Sequence, residues 1–128
     1  MAKEEILLRL SILEGEAKKL QEQLQTVNQQ IADYEALKLS LEKLDGSDND
    51  VLAPLGRGIF FKAKKIDNEF LVNIGNNLVV KKTGKDAAEI INKQINKMAE
   101  LKTAIENHLE ELTRQMQNIV EEARKEKD

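Results

Sequence analysis

The sequence contains no cysteine and no tryptophan, and it has a single histidine and a single proline. Without cysteine there is neither a disulfide framework nor a thiolate metal site, which is compatible with a reducing cytosol. Aromatics make up only 3% of the residues against 34% charged, a balance that suits long solvated helices and argues against a large packed core. No long apolar run exists. The opening Met1-Ala2-Lys3-Glu4-Glu5 leads into charges every few residues, unlike a signal peptide or a membrane span. Nor is there an excess of one charge. Twenty basic and 23 acidic side chains leave a formal charge of −3, and no segment is basic enough for a phosphate-binding surface. These absences predict a soluble cytoplasmic protein with no nucleic-acid or membrane partner.

What is present is a repeat of apolar residues at alternating four- and three-residue steps. Ile6, Leu10, Leu13, Ala17, Leu20, Leu24, Val27, Ile31, Tyr34 and Leu41 follow it near the N-terminus, with Lys38 in the remaining slot. Ala88, Ile91, Ile95, Met98, Ile105, Leu109, Leu112, Met116, Ile119 and Ala123 follow it near the C-terminus, with Lys102 in the gap. This is the a/d seam of a coiled coil. The two seams match when run antiparallel. Ile6 meets Ala123, Leu10 meets Ile119, Leu24 meets Ile105 and Leu41 meets Ala88, each a position opposite a d. The spacing predicts a helical hairpin with arms about 60 Å long at 1.5 Å of rise per residue. Such an arm has no third layer and cannot wall a compact enzyme core.

The heptads stop at Leu44, and Asp45-Gly46-Ser47-Asp48-Asn49-Asp50 reads as a loop. Four runs follow, Val51 to Leu55, Ile59 to Ile66, Phe70 to Ile74 and Leu78 to Lys82, rich in β-branched and aromatic residues and separated by turn formers. They predict four strands in two successive hairpins. Asp67-Asn68 is expected to supply the positive φ of a two-residue turn. Pro54, with no N–H, belongs at an edge or bulge. Thr83 fits an N-cap, with Asp86 favouring the positive end of the second helix. The fold class is therefore α+β, organised as a helix over 1–44, a strand region over 45–83 and a helix over 84–128. So small a strand region cannot be stable alone. Val51, Leu52, Leu55, Phe60, Phe61, Phe70, Leu71, Val72, Ile74, Leu78 and Val80 are expected to pair with other subunits.

Catalytic and metal chemistry find no footing. His108 lies in Glu106-Asn107-His108-Leu109, which is not a helical His-Glu-x-x-His zinc site. Thr83-Gly84-Lys85-Asp86 is not a Walker loop, since Val79 stands where glycine is needed and Asp86 where Ser or Thr is needed. The carboxylates lie on solvent faces of the helices with nothing to pair them in a cleft. No enzyme activity, cofactor or metal is expected. Lys38 and Lys102 are expected to lay their stems along the seam with the ammonium groups in water; the alternative is a role in specifying register or oligomeric state. Leu7, Leu8 and Ile12, at e, f and c, fall outside the seam at the N-terminal end, and Val120 joins them from the opposing end. Together with Ile6, Leu10, Leu13, Met116 and Ile119 they predict an apolar tip that contacts other apolar surfaces.

The order helix, two hairpins, helix resembles prefoldin, and within that family its α class, since the β class has one hairpin. Val51-Leu52-Ala53-Pro54-Leu55-Gly56 is similar to the family's first strand, with Ala53 where a bulkier residue is common. Leu71-Val72-Asn73-Ile74-Gly75 and Lys81-Lys82-Thr83 with Asp86-Ala87 resemble its third strand and the start of its second helix. The resemblance implies an ATP-independent co-chaperone. It implies a hexamer in which two α-class and four β-class subunits share a β-barrel platform. It further implies non-native client proteins held between coiled-coil tips and passed to a group II chaperonin. A filament-forming or scaffold subunit is the rival reading.

Overall fold

A computed structural model describes residues 2–46 and 50–127. The order is α1 (Lys3–Leu44), β1 (Val51–Gly56), β2 (Ile59–Ala63), β3 (Glu69–Asn73), β4 (Val79–Thr83) and α2 (Gly84–Lys127). The chain divides into two compact units, one of Met1–Ala32 with Asn96–Asp128 and one of Asp33–Ile95.

The first unit is a two-helix coiled coil. Every α1 residue in it that is withdrawn from solvent is a predicted seam residue, from Ile6 through Ile31. On α2, Ile105, Leu112 and Ile119 are buried. Seam residues of the two helices meet at two levels, each within one seam step of the predicted pairing. Leu13 shares a groove with Gln115 and Ile119, and Val27 shares another with Leu101 and Ile105. Lys102 is half-buried in its seam slot.

In the second unit the seam continues through Tyr34, Lys38 and Leu41, opposite Ala88 and Ile91. It also acquires a third partner. Leu41, Ala87 and Ile91 form a core on which Tyr34, Ala88, Ile95 and two strand residues, Phe70 and Val72, pack. This explains why the base of α2 is withdrawn from solvent more broadly than the rest of the helix. α1 ends as a helix should. The Asp45 N–H reaches the Leu41 carbonyl at 2.9 Å, and Gly46 turns the chain at φ 72°, a left-handed conformation that suits glycine. At the start of α2, the Thr83 hydroxyl accepts the Asp86 N–H at 3.1 Å, the N-cap bond expected there.

The strands form two separate antiparallel hairpins, β1–β2 and β3–β4. The first pairs Val51 with Ala63 and Pro54 with Phe60, then bulges between Pro54 and Gly56. Pro54 thus borders the bulge that its missing N–H demanded. The second pairs Glu69 with Thr83 and Asn73 with Val79. Its turn is Gly75-Asn76-Asn77-Leu78. The Leu78 N–H donates to the Gly75 carbonyl at 2.9 Å, and Asn76 and Asn77 have φ of 52° and 60°, the signature of a type I′ turn.

Two expectations are corrected here. Asp67-Asn68 is not a two-residue hairpin turn, because β2 and β3 do not pair. It lies in the connection between hairpins, where the Asp67 carboxylate accepts the Glu69 N–H at 3.0 Å, a local bond that needs no positive φ. Strand β2 also stops at Ala63 rather than Ile66. The next residues leave the hairpin, and Lys65 donates to the Leu44 carbonyl at the end of α1. Of the expected loop 45–50, Ser47 to Asn49 lie outside the described residues.

Candidate functional site

The residues singled out by sequence form two surfaces, one in each compact unit. In the coiled-coil unit, Ile6, Leu10, Leu13 and Met116 are half-buried and Ile119 is buried, so the seam holds them. Leu7, Leu8, Ile12 and Val120 are exposed, Leu8 to 62%. Their heptad positions decide where they point. Leu7, Leu8 and Ile12 occupy e, f and c, so the first turns of α1 present apolar side chains on nearly every side. A helix that is apolar all round calls for burial on all sides, and one partner helix covers a single face. Val120 adds only a modest flank on α2.

One part of this surface is concave. A groove of about 340 Å³ has Leu13 and Ile119 in its floor, Ile12 on its wall, and Arg9, Asn118 and Glu122 around it. Ile12, Leu13 and Ile119 are thus brought together, whereas Leu7 and Leu8 point elsewhere. Farther along the coil a second groove of about 460 Å³ has Val27, Leu101 and Ile105 in its lining with Gln23, Thr26 and Gln30, and the oppositely charged Lys19 and Glu22 beside them. Leu101, exposed to 46%, was not among the residues singled out. The signal was its g position, directly before the seam residue Lys102.

The second surface is the pair of hairpins. Alternation along β1 and β2 sends Val51, Ala53, Phe61 and Ala63 to one face and Leu52, Pro54, Phe60 and Lys62 to the other. Leu52, Leu55, Ile59, Phe60 and Phe61 are all exposed. Both faces of this ribbon carry exposed apolar side chains: Phe61 on the first, where Val51, Ala53 and Ala63 are half-buried, and Leu52 and Phe60 on the second, beside Lys62. The β3–β4 hairpin differs. Phe70, Val72, Val80 and Lys82 form its inner face and are half-buried, Phe70 and Val72 against the helix core. Leu71, 72% exposed, and Val79 are on its outer face, with Ile74 and Leu78 exposed near the turn. Glu69 and Lys81, diagonal neighbours across the two strands, form an ion pair there at 4.0 Å.

Lys65 and Ile66, between the hairpins, were also missed. Lys65 is half-buried. Its ammonium donates to the Leu44 carbonyl and to Asn68 Oδ1 at 3.2 Å, and it lies 5.1 Å from the centroid of the Phe70 ring. A cation at a helix C-terminus and above an aromatic face is favourable on both counts. Ile66 is 98% exposed. Neither residue carries a sequence signal beyond its type. Among the described residues no group of three or more His, Cys, Asp and Glu could hold a metal, and His108 is exposed. No helix is long and apolar enough to cross a membrane among the described residues.

Comparison with known proteins matches this architecture throughout. The family model described as prefoldin subunit matches residues 13–127. The chain is 27% identical to a prefoldin subunit alpha of Thermofilum pendens, over 94% of this chain and 93% of that one. It is 29% identical to a prefoldin subunit alpha of Methanobrevibacter smithii, over 90% and 75% of the two chains. Its fold is shared with a filamentous PFD from Methanocaldococcus jannaschii seen by cryo-electron microscopy, with a TM-score of 0.52 at 21% identity over 93% and 95% of the chains. Two pairing helices, two hairpins between them and a match across nearly the whole length lead to one conclusion: the chain belongs to the prefoldin family, as a subunit of its α class.

Proposed function

We propose that this chain is a subunit of an ATP-independent holdase. In this reading it captures non-native proteins at the tip of its coiled coil and delivers them to a group II chaperonin in the cytoplasm. A co-chaperone role follows from the family, as does assembly with other prefoldin subunits. The finer reading is carried by one observation, the uncovered apolar side chains at the α1 end of the coil. Each apolar side chain buried against a client contributes roughly 1.5–3 kcal/mol before ordering costs. One tip therefore binds weakly, and several tips on one platform bind usefully. Release needs only a competitor for the same apolar contacts, so no nucleotide enters the cycle.

The platform is assigned to the hairpins. A two-stranded hairpin is marginal in water, and the β1–β2 ribbon has apolar residues on both faces. Burial between β-class subunits, two α with four β, satisfies both faces at once. The second reading is a filament or scaffold, favoured by the fold shared with a filamentous PFD and by the unpaired strand edges, which can propagate as well as close. Native mass measurement of the chain alone and with a β-class subunit separates the two. A discrete hexamer that suppresses aggregation of an unfolded protein supports the holdase. An open polymer, or a hexamer that gives no protection, overturns it.

A further inference from the structure

The two grooves that have seam residues in their lining open on the same side of the coiled coil, whereas a third of about 350 Å³, lined by Glu110, Thr113, Arg114 and Gln117, lies on the outer face of α2 and is wholly polar. Arg9, Gln115 and Glu122 around the first groove and Gln23, Gln30 and Leu101 around the second all occupy g positions. In an antiparallel pair the g positions of both helices line one flank, and the e positions, including Leu7 and Val120, line the other. The g flank thus carries an apolar wall residue at each groove, Ile12 in the first and Leu101 in the second, both about half exposed. Carboxamides stand beside them, Gln115 and Asn118 at the first groove and Gln23 and Gln30 at the second. Basic and acidic residues alternate along the flank, Arg9 and Lys19 against Glu16 and Glu122, giving no excess of either sign.

The geometry points to a binding track for an extended client segment that runs from the tip along the g flank to Leu101. It rests on the holdase reading and extends that site beyond the tip. Three features choose the occupant. First, from the level of Leu13 to that of Val27 is about four helical turns, some 21 Å. An extended chain covers that span in six or seven residues at roughly 3.3 Å each, so two apolar side chains that far apart reach both grooves. Second, carboxamides both donate and accept. They meet the unpaired N–H and C=O groups of an extended segment, whereas a folded helix has already paired its own. Third, the balanced charge offers nothing to a nucleic acid or an acidic peptide and nothing against a neutral apolar segment. The first groove is continuous with the tip, since Ile12, Leu13 and Ile119 belong to both.

The test uses the full chain assembled with its partner subunits and reduced, carboxymethylated α-lactalbumin as a permanently unfolded probe. Photocrosslinkers at Gln23 and Gln30 report the g flank, and crosslinkers at Gln21 and Asn28 report the opposite one. The expected result is at least fivefold more probe crosslinked from Gln23 and Gln30. Leu101→Gln should weaken probe binding at least fivefold with helicity unchanged, although Leu101 lies far from the tip. Equal yields on both flanks, crosslinks from the g flank to another subunit instead of the probe, or unchanged binding by Leu101→Gln each overturn the track while leaving a tip-only holdase intact. Failure of the unsubstituted assembly to bind the probe overturns the holdase reading and the track together.

Discussion

The carboxylate of Asp45, one residue beyond α1, fills the space that a Cβ at Gly84 would occupy. Gly84 is the first residue of α2 and is buried. The end of one helix is thereby set against the start of the next, with a negative charge beside the positive end of a helix. Gly84→Ala must displace that carboxylate and is expected to cost about 1 kcal/mol, from the lost helix-terminus interaction and from crowding. In an Asp45→Ala background the same change should be neutral or stabilising. Urea unfolding of the two single variants and the double variant measures the coupling. Equal effects of Gly84→Ala in both backgrounds would refute the contact.

Lys65 joins three parts of its unit: the last turn of α1, the connection between hairpins and Phe70 on β3. Lys65→Met keeps the stem but loses the bond to the Leu44 carbonyl and the charge above the ring, a loss of about 1–2 kcal/mol. Hydrogen exchange should rise in residues 41–46 and in β3–β4 and stay unchanged in residues 2–32. Lys65→Arg should recover part of the protection.

Phe70 and Leu52 separate self-packing from assembly. An Asp at Phe70 would place a charge against Leu41, Ala87 and Ile91 and should destabilise the chain itself by several kcal/mol. An Asp at Leu52, which is exposed within the chain, should leave helicity and unfolding of the isolated subunit unchanged and block assembly. Circular dichroism and native mass read the two outcomes. Normal assembly by the Leu52 variant would remove the β1–β2 ribbon from the subunit contacts.

At the tip, Leu7, Leu8, Ile12 and Val120 changed together to Ser or Gln should preserve helicity and assembly while abolishing suppression of client aggregation. None of the four is in the seam, so the coil loses no core. Full protection by this variant would relocate client binding, most directly to a cavity formed by the platform.

Thr83→Ala should cost about 1 kcal/mol through loss of the N-cap bond to the Asp86 N–H, and Thr83→Asp should restore it. Thermal unfolding measures both. Equal destabilisation by Ala and Asp would mean that the cap is not what Thr83 contributes.

The seam was legible residue by residue because a 3.5-residue period admits one solution once both helices must agree. Lys38 and Lys102 did not obscure it, since each interrupts a long run only once. Strand positions were legible to within a few residues, and turn chemistry was less so. Asp67-Asn68 and Asn76-Asn77 are the same kind of polar pair, yet only the second has positive φ. What separates them is whether the flanking strands pair, a non-local fact. Phe60 and Phe70 were likewise indistinguishable. Both alternate along apolar strands, and only packing on Leu41, Ala87 and Ile91 turns Phe70 inward. Lys65 had no signal, being one lysine among Lys62, Lys64 and Lys65 whose role depends on where α1 ends. Leu7, Leu8 and Ile12 were legible as outliers from a well-defined pattern, and Leu101 was overlooked because it adjoins the more conspicuous Lys102.

In the proposed platform the β1–β2 ribbon, with exposed apolar side chains on both faces, would make the subunit's conformational stability partly a property of its surroundings. A segment whose apolar faces are covered only by other molecules is stabilised by mass action, so its apparent melting point should rise with the concentration of its partners. A cell that makes this chain in excess would hold a population with an open adhesive edge, free to join the wrong strand. On that assignment, balanced supply of subunits would be part of the folding condition of this protein, as much as temperature or salt.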